Sequence, residues 1–370
     1  MDYTTLLNPQ IQRLPVYEPG RPIELVAQEF GLNPAQVIKL ASNENPLGAS
    51  PRALEAAGKA LRDSAVYPEN SAFFLVRDLA EHHGLKPECF TMGAGSNEIF
   101  YLLCGLFVRP GVEVVMGAHA FITYLIATSL AGGTPVLVPM PELRHDLDAM
   151  RAAITEKTRL VFLPNPNNPT GTRVDNAAVL EFARSLPEHV IFCYDEAYAE
   201  YDRDPVDLRP LIREGRKIVA TRTFSKIYGL AGLRIGYGMS DPALAKLLNA
   251  TRPPFNTSSI AQAAARAALQ DPAWVERSRA SNALGLVRLQ AGFEALELPS
   301  VPSAGNFILV KVPDAASVFS QLQKQGVIVR PVKGYGLPEY LRVSVGTESQ
   351  NDRCLEALGQ ILNREELRSS

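Results

Sequence analysis

The sequence predicts an α/β fold: a mostly parallel sheet covered by helices on both faces, with a smaller α+β domain attached. Three observations carry this. Short β-branched apolar runs recur through the middle of the chain, amphipathic stretches separate them, and polar residues capable of chemistry cluster just past the ends of the runs. Near-continuous apolar strands joined through helices belong to parallel sheets buried on both faces. Ligands of such sheets gather at the carboxyl ends of the strands.

The elements follow in chain order. The proline-bearing first 48 residues are too few to build a core, so segment 1–48 is expected to pack with the smaller domain. The large domain is expected over residues 49–260. Its strand candidates are VEVVMG (112–117), TPVLVP (134–139), RLVFLP (159–164), VIFCYD (190–195) and KIVATRTF (217–224). Between the last three, NAAVLEFARSL (176–186) spaces its apolar residues as a helix does. From residue 261 the texture changes. A helical stretch beginning AQAAARAALQ leads to the strand NFILVKV (306–312), a helix around SVFSQLQKQ, the strands GVIVRP and YLRVSVG, and a closing helix NDRCLEALGQILNR. Residues 261–370 are therefore expected to form the small α+β domain.

Composition narrows the function classes. Lysine plus arginine (37) nearly balance aspartate plus glutamate (39), giving a net charge of −2 and no electrostatic case for a nucleic-acid partner. No apolar run approaches the ~20 residues that span a bilayer. The opening MDYTTLLNPQIQRLPVYEPG lacks the basic and apolar regions of a secretory signal. Cys89, Cys104, Cys193 and Cys354 are scattered, which favours free thiols in a reducing, cytoplasmic setting over disulfides or zinc. His82 and His83 are adjacent and His119, His145 and His189 stand alone, so no metal site is expected.

Four stretches carry possible chemistry. In TRTFSKIYGLAGLRIGYG (221–238), Lys226 lies in an apolar, uncharged neighbourhood. Burial lowers an ammonium's pKa and makes the amine a nucleophile able to form an imine. Thr223, Ser225 and Arg234 beside it suit a phosphate dianion, although the hydroxyls also fit a helix-capping turn with Arg234 on the surface. Upstream, TMGAGSNEIF places Ser96 and Asn97 after glycines at a helix start, an anion site or a plain N-cap. In YDEAYAEY (194–201), Asp195 ends an apolar strand where a carboxylate could hold a ring nitrogen protonated, with Tyr198 three residues on; capping the next helix is the ordinary alternative. PNPNNPTG (164–171) is a rigid turn with three asparagines. A phosphate cradle, an imine-forming lysine, an acid for a pyridine nitrogen and polar groups for a phenolate together describe pyridoxal 5′-phosphate.

The ordered set LPVYEPGRP, LASNENPLGASP, YPENSAFFLVRDLA, GAGSNEIF, AFITY, PNPNNPTG, YDEAYAEY, TFSKIYGLAGLRIGY and GVIVRPVKGYGLPEYLRVSVGTESQNDR resembles the histidinol-phosphate aminotransferase family from about residue 13 to residue 363. These are fold-type I pyridoxal-phosphate enzymes, so the resemblance implies a seven-stranded-type sheet in the large domain. It also implies roles. Lys226 would carry the cofactor as an imine and shuttle the proton. Asp195 would pair with the ring nitrogen, Asn168 and Tyr198 with the phenolic oxygen, and Phe121 would stack on the ring. Ser96, Asn97, Thr223, Ser225 and Arg234 would hold the phosphate, with Tyr67 reaching the phosphate of the neighbouring subunit in a homodimer. Arg342 would bind the α-carboxylate of glutamate. Arg330 with Tyr17 resembles the family's contacts to the substrate side chain, and Tyr124 is a further pocket candidate. The implied reaction is transamination between L-histidinol phosphate and 2-oxoglutarate in histidine biosynthesis. An aromatic amino-acid transaminase and a decarboxylase of a phosphorylated amino acid share the scaffold. A ligand-sensing transcription regulator would need a helix-turn-helix segment that the chain does not show.

Overall fold

A computed structural model describes residues 3–7, 9–14 and 19–369 of the chain. A seven-stranded sheet forms the middle of the large domain, in the order Phe90–Gly93, Gly236–Ser240, Ile218–Thr223, Ile191–Asp195, Thr158–Pro164, Glu113–Gly117 and Thr134–Val138. Gly236–Ser240 runs antiparallel to both of its neighbours, and the pairs from Ile218–Thr223 to Thr134–Val138 are all parallel.

Strand periodicity sorts this sheet into two cores. Val115, Val161, Leu163, Phe192, Tyr194 and Ala220 face one cluster. Their alternate neighbours Val114, Met116, Leu160, Phe162, Cys193 and Val219 face the other. With both faces covered, every position of Ile191–Asp195 is buried, and so is Leu160 through Pro164. This is why these strands read as continuous apolar runs.

The five strands expected from the sequence are present within one or two residues of their expected limits. Two were not anticipated: Phe90–Gly93 (FTMG) and Gly236–Ser240 (GYGMS), which are short, glycine-bearing and poor in β-branched residues.

The small domain is built on a four-stranded antiparallel sheet, ordered Arg330–Pro331, Tyr340–Ser344, Phe307–Lys311 and Ser300–Val301. Its core joins Ile308, Val310, Leu341 and Val343 to Leu289 and Phe293 of the Pro272–Ala295 helix, Val318 and Leu322 of Ala315–Lys324, and Leu358 of Glu348–Ser369. The run expected as one strand, GVIVRP, is two. Val327–Ile328 pairs in parallel with Ile38–Lys39, and Arg330–Pro331 pairs with Tyr340–Ser344. The N-terminal segment thus joins the small domain through a strand pair and through Val26, Val37 and Ala41 packed around Ile328.

One boundary moves. Helix Ser259–Leu269 does not open the small domain: Ala261, Ala264, Ala265 and Ala268 pack into the large-domain core, close against helix Pro51–Leu61. Its row of alanines allows the two backbones to approach. The same composition made the segment resemble an independent helical stretch.

Candidate active site

A cavity of about 380 Å³ opens at the carboxyl ends of the large-domain strands, closed on one side by the small domain and by residues 42–43. Among the expected residues, Ser96, Asn97, Phe121, Asn168, Asp195, Tyr198, Thr223, Ser225, Lys226, Arg234, Arg330 and Arg342 all line it. Among the described residues, Lys226, Arg234, Arg330 and Arg342 bring four cationic side chains to a wall whose one acid is Asp195. That imbalance suits an anionic ligand.

One end is an anion cradle. Helix Ser96–Phe107 starts at the cavity, preceded by Gly95 at φ +81°. Its first backbone N–H groups have no intrahelical acceptor, and the helix dipole favours negative charge there. Arg234, itself in the left-handed region at φ +53°, closes the cradle by donating from Nη1 to Ser225 Oγ at 3.3 Å and from Nη2 to Ala94 O at 3.3 Å. The approach is close enough that a Cβ on Gly95 would lie 2.6 Å from Arg234 Nη2. Thr223 Oγ1 accepts from the Ser225 amide at 3.1 Å, shaping the turn that carries Lys226. Asn97 Oδ1 is buried with no hydrogen-bond partner in the protein.

Lys226 sits half-buried in the cavity wall, its Nζ donating to Ser42 O at 3.2 Å and lying 5.8 Å from the centre of the Tyr198 ring. Burial, followed by the positive charge of Arg342, lowers its pKa to about 8. Asp195 lies opposite, at the end of its strand. Burial raises its pKa to about 6 even though three donors oppose the shift: Tyr124 Oη at 2.6 Å, Thr221 Oγ1 at 3.1 Å and the Ala197 amide at 3.2 Å. Burial also pushes the Tyr198 phenol upward, so that it stays protonated.

The far wall belongs to the small domain. Arg330 and Arg342 stand opposite each other in adjacent strands. Arg342 donates from Nη2 to Ala41 O at 2.6 Å and from Nη1 to Asn168 Oδ1, and its guanidinium lies 5.4 Å from the centre of the Phe307 ring. Asn168 is presented by the PNPNNPTG turn, in which Asn165–Pro166 and Asn168–Pro169 are cis. Asn167 ties this turn to His119 O and to Thr170 Oγ1.

Two expected residues, Tyr124 and Tyr67, do not line the cavity. Tyr124 is not a pocket contact: it is 0% exposed, stacked on Phe162, and its hydroxyl serves Asp195 from behind. Thr123, one residue earlier, lines the cavity, and the single-residue step turns Tyr124 to the core side of helix Ile122–Leu130. Tyr67 lies outside the cavity, 80% exposed and stacked at 4.7 Å on Phe255. Tyr17 falls outside the described residues. In return the structure brings in Ser42, Asn43, Tyr101, Thr123 and Tyr335 as lining residues that the sequence reading did not single out. Among the described residues, no group of three His, Cys, Asp or Glu side chains could hold a metal ion. No helix is long and apolar enough to cross a membrane among them.

Known proteins resemble this chain throughout its length. The family model described as aminotransferase class I and II matches residues 35–358. A histidinol-phosphate aminotransferase from Akkermansia muciniphila is 45% identical over 98% of this chain and 100% of its own length. Histidinol-phosphate aminotransferase 2 from Pseudomonas fluorescens Pf0-1 is 46% identical over 98% and 99% of the two chains. Among solved structures, the histidinol-phosphate aminotransferase from Sinorhizobium meliloti in complex with pyridoxal-5′-phosphate superposes with a TM-score of 0.87 at 30% identity, covering 97% of this chain and 98% of its own.

Proposed function

Because the chain belongs to the class I and II aminotransferases and to the histidinol-phosphate aminotransferase family within them, we propose that it transfers an amino group between L-histidinol phosphate and 2-oxoglutarate. The products are imidazole-acetol phosphate and L-glutamate, and the cofactor is pyridoxal 5′-phosphate.

The residues present fit that cofactor. The cradle of Ser96, Asn97, Thr223, Ser225 and Arg234 takes a phosphate dianion and has no room for a Cβ at Gly95. Asp195 would hold the protonated ring nitrogen, Asn168 and Tyr198 the phenolic oxygen, and Phe121 one face of the ring. When bound, the cofactor supplies a conjugated electron sink for negative charge developing at the substrate's Cα.

The chain's own groups do the rest. Lys226, its pKa lowered to about 8, offers a neutral amine to a useful fraction near neutral pH. It would anchor the cofactor and, once displaced by the substrate's amine, its Nζ would take the proton from Cα and deliver it to the cofactor's C4′ carbon. Asp195, ionised above about pH 6, stabilises positive charge on the ring nitrogen. Arg342 offers a carboxylate two parallel N–H donors.

The observation that carries the substrate is the pairing of Arg330 with Arg342 across adjacent strands, both lining the cavity. Glutamate is anionic at two ends, and histidinol phosphate carries a phosphate. Two guanidiniums on one wall suit two negative charges, whether on the two carboxylates of glutamate or on one phosphate dianion, whereas phenylalanine brings a single carboxylate.

A homodimer completes the reading. Val66, Tyr67, Phe73, Phe74 and Phe255 are exposed apolar side chains on the large domain, which supports contact with a second copy and Tyr67 reaching the partner's phosphate site. Four buried free cysteines favour a reducing, cytoplasmic setting.

Steady-state kinetics test the substrate. A kcat/KM for histidinol phosphate at least about tenfold above that for phenylalanine is expected, since one further hydrogen bond to a charged group contributes about 1.5 kcal/mol or more. Equal or reversed preference would replace this reading with the aromatic one. The purified protein should show the visible absorbance of bound cofactor, lost in Lys226→Ala.

A further inference from the structure

Asn43 is 1% exposed and sits at φ +55°, a conformation unfavourable for a residue with a Cβ. Three hydrogen bonds hold it there. Its amide N–H donates to Ser344 Oγ at 2.9 Å, its carbonyl accepts from Asn306 Nδ2 at 2.9 Å, and Ser344 Oγ donates to its side-chain Oδ1 at 2.9 Å.

This arrangement has a direction. The Ser344 oxygen already accepts from the Asn43 backbone, so its own proton goes to Asn43 Oδ1. That turns the other end of the amide, Nδ2, toward Tyr198, whose phenolic oxygen accepts from it at 2.9 Å. Tyr198 therefore spends an acceptor site on Asn43 and keeps its own proton to give away. The cavity lies on the other side of that hydroxyl. A flipped Asn43 amide would take the Oδ1 acceptor away from the Ser344 proton and draw the Tyr198 proton out of the cavity.

We propose that Asn43 is a positioning residue that fixes the direction in which Tyr198 donates, with Ser344 setting Asn43 in turn. The inference rests on the cofactor assignment above, in which Tyr198 meets the cofactor's phenolic oxygen. Asn43 touches no reacting atom. It ensures that this oxygen meets a donor, which stabilises its anionic form. Ser344 lies two residues after Arg342, on the same face of the Tyr340–Ser344 strand. The strand that grips the substrate's carboxylate therefore also orients the hydroxyl facing the cofactor.

The test uses the holoenzyme and reads the pH midpoint of the bound cofactor's visible absorbance. Asn43→Gly deletes the amide while tolerating the positive φ. The charged groups facing Tyr198, which are Arg342, Asp195 and Lys226, are retained. Losing an oriented donor on the phenolic oxygen lets the neighbouring nitrogen keep its proton to higher pH. The midpoint should rise by roughly 0.5–1 unit. Tyr198→Phe should raise it at least as far, and Asn43→Gly added to Tyr198→Phe should raise it no further, because Asn43 acts through that hydroxyl. An unmoved midpoint in Asn43→Gly with unchanged melting temperature, or additive shifts in the double variant, overturns the proposal. Should Asn43→Gly not fold, Ser344→Ala carries the same test: a raised midpoint supports the proposal and an unmoved one overturns it. No visible band in cofactor-saturated wild-type protein would overturn the cofactor reading itself, and this inference with it.

Discussion

Replacing Tyr124 by phenylalanine removes one oxygen from a site that does not touch the cavity, yet it should change how the protein holds its cofactor. The hydroxyl donates at 2.6 Å to Asp195 Oδ2, and both residues are buried. Burial raises the Asp195 pKa to about 6, and the Tyr124 bond is the largest of the contacts opposing that rise. A hydrogen bond to a charged group contributes about 1.5–3 kcal/mol, and one pKa unit corresponds to about 1.4 kcal/mol, so its loss should add roughly 1–2 units. At pH 7 the ionised fraction of Asp195 would fall from about nine-tenths to roughly a quarter. The ring packing of Tyr124 on Phe162 and Phe100 survives the substitution, so the fold should too.

The assay is equilibrium binding of pyridoxal 5′-phosphate to the cofactor-free protein across roughly pH 5.5–9. Affinity should fall on the acid side as Asp195 takes up a proton, and in Tyr124→Phe that fall should begin about 1–2 units higher. Stability should follow the same group. A carboxyl whose folded pKa exceeds its unfolded value of 3.8 adds stability at low pH that is lost as pH rises through about 6. In the variant the loss should extend toward neutrality. An acid-side midpoint within about 0.3 unit of wild type, in a protein with native circular dichroism, would mean that Tyr124 does not hold Asp195 ionised.

Further outcomes follow from the same geometry. Lys226 has a folded pKa lowered from 10.5 to about 8, so its contribution to stability is full above 10.5 and lost as pH falls through 8. The cofactor-free Lys226→Met variant should accordingly be more stable than wild type near pH 7 by about 1–3 kcal/mol, with the gap closing toward pH 10 in urea titrations. Arg342→Met should lower kcat/KM for glutamate about 100-fold or more, through loss of a bidentate charge pair. Because Arg342 helps depress the Lys226 pKa, the lysine's titration in the cofactor-free variant should also move up, as read by pH-dependent chemical labelling. Gly236→Ala would place a Cβ 2.4 Å from the Ser96 amide nitrogen and 2.8 Å from Arg222 O, both backbone atoms. It should cost about 2 kcal/mol or more and lower the melting temperature by several degrees, whereas Gly232→Ala, with nothing near its added carbon, should not.

Much of this site was legible because its chemistry lies where a parallel sheet must put it. Asp195, Thr223 and Lys226 each follow a long apolar strand, and the motif order around them is specific. What escaped reading depends on contacts between distant parts of the chain. Asn43, Tyr198 and Ser344 meet across separations of 155 and 301 residues, and no local pattern marks Asn43 as anything but a turn residue. Tyr124 shows the converse. Its neighbourhood was correct, but helical phase pointed it into the core, where it works on Asp195 rather than on substrate. The two overlooked strands, Phe90–Gly93 and Gly236–Ser240, flank the cradle and need glycine for close approach, which is the composition that hides a strand. The row of alanines in helix Ser259–Leu269 does not reveal which core it fills, and in the structure it packs with the large-domain cluster.

The parallel pair between Ile38–Lys39 and Val327–Ile328 bears on how the molecule is made on the ribosome. Residues 42 and 43 reach their places in the cavity wall only beside a strand encoded almost 300 residues later. The residues proposed for the phosphate, Ser96 to Arg234, are all encoded before the last third of the chain. The N-terminal stretch must wait, unpaired, for a strand that emerges among the last fifty residues. Pairings this distant form slowly. Active sites should accordingly appear after bulk secondary structure during refolding, as the last interval in which an incomplete chain exposes its edges to a chaperone.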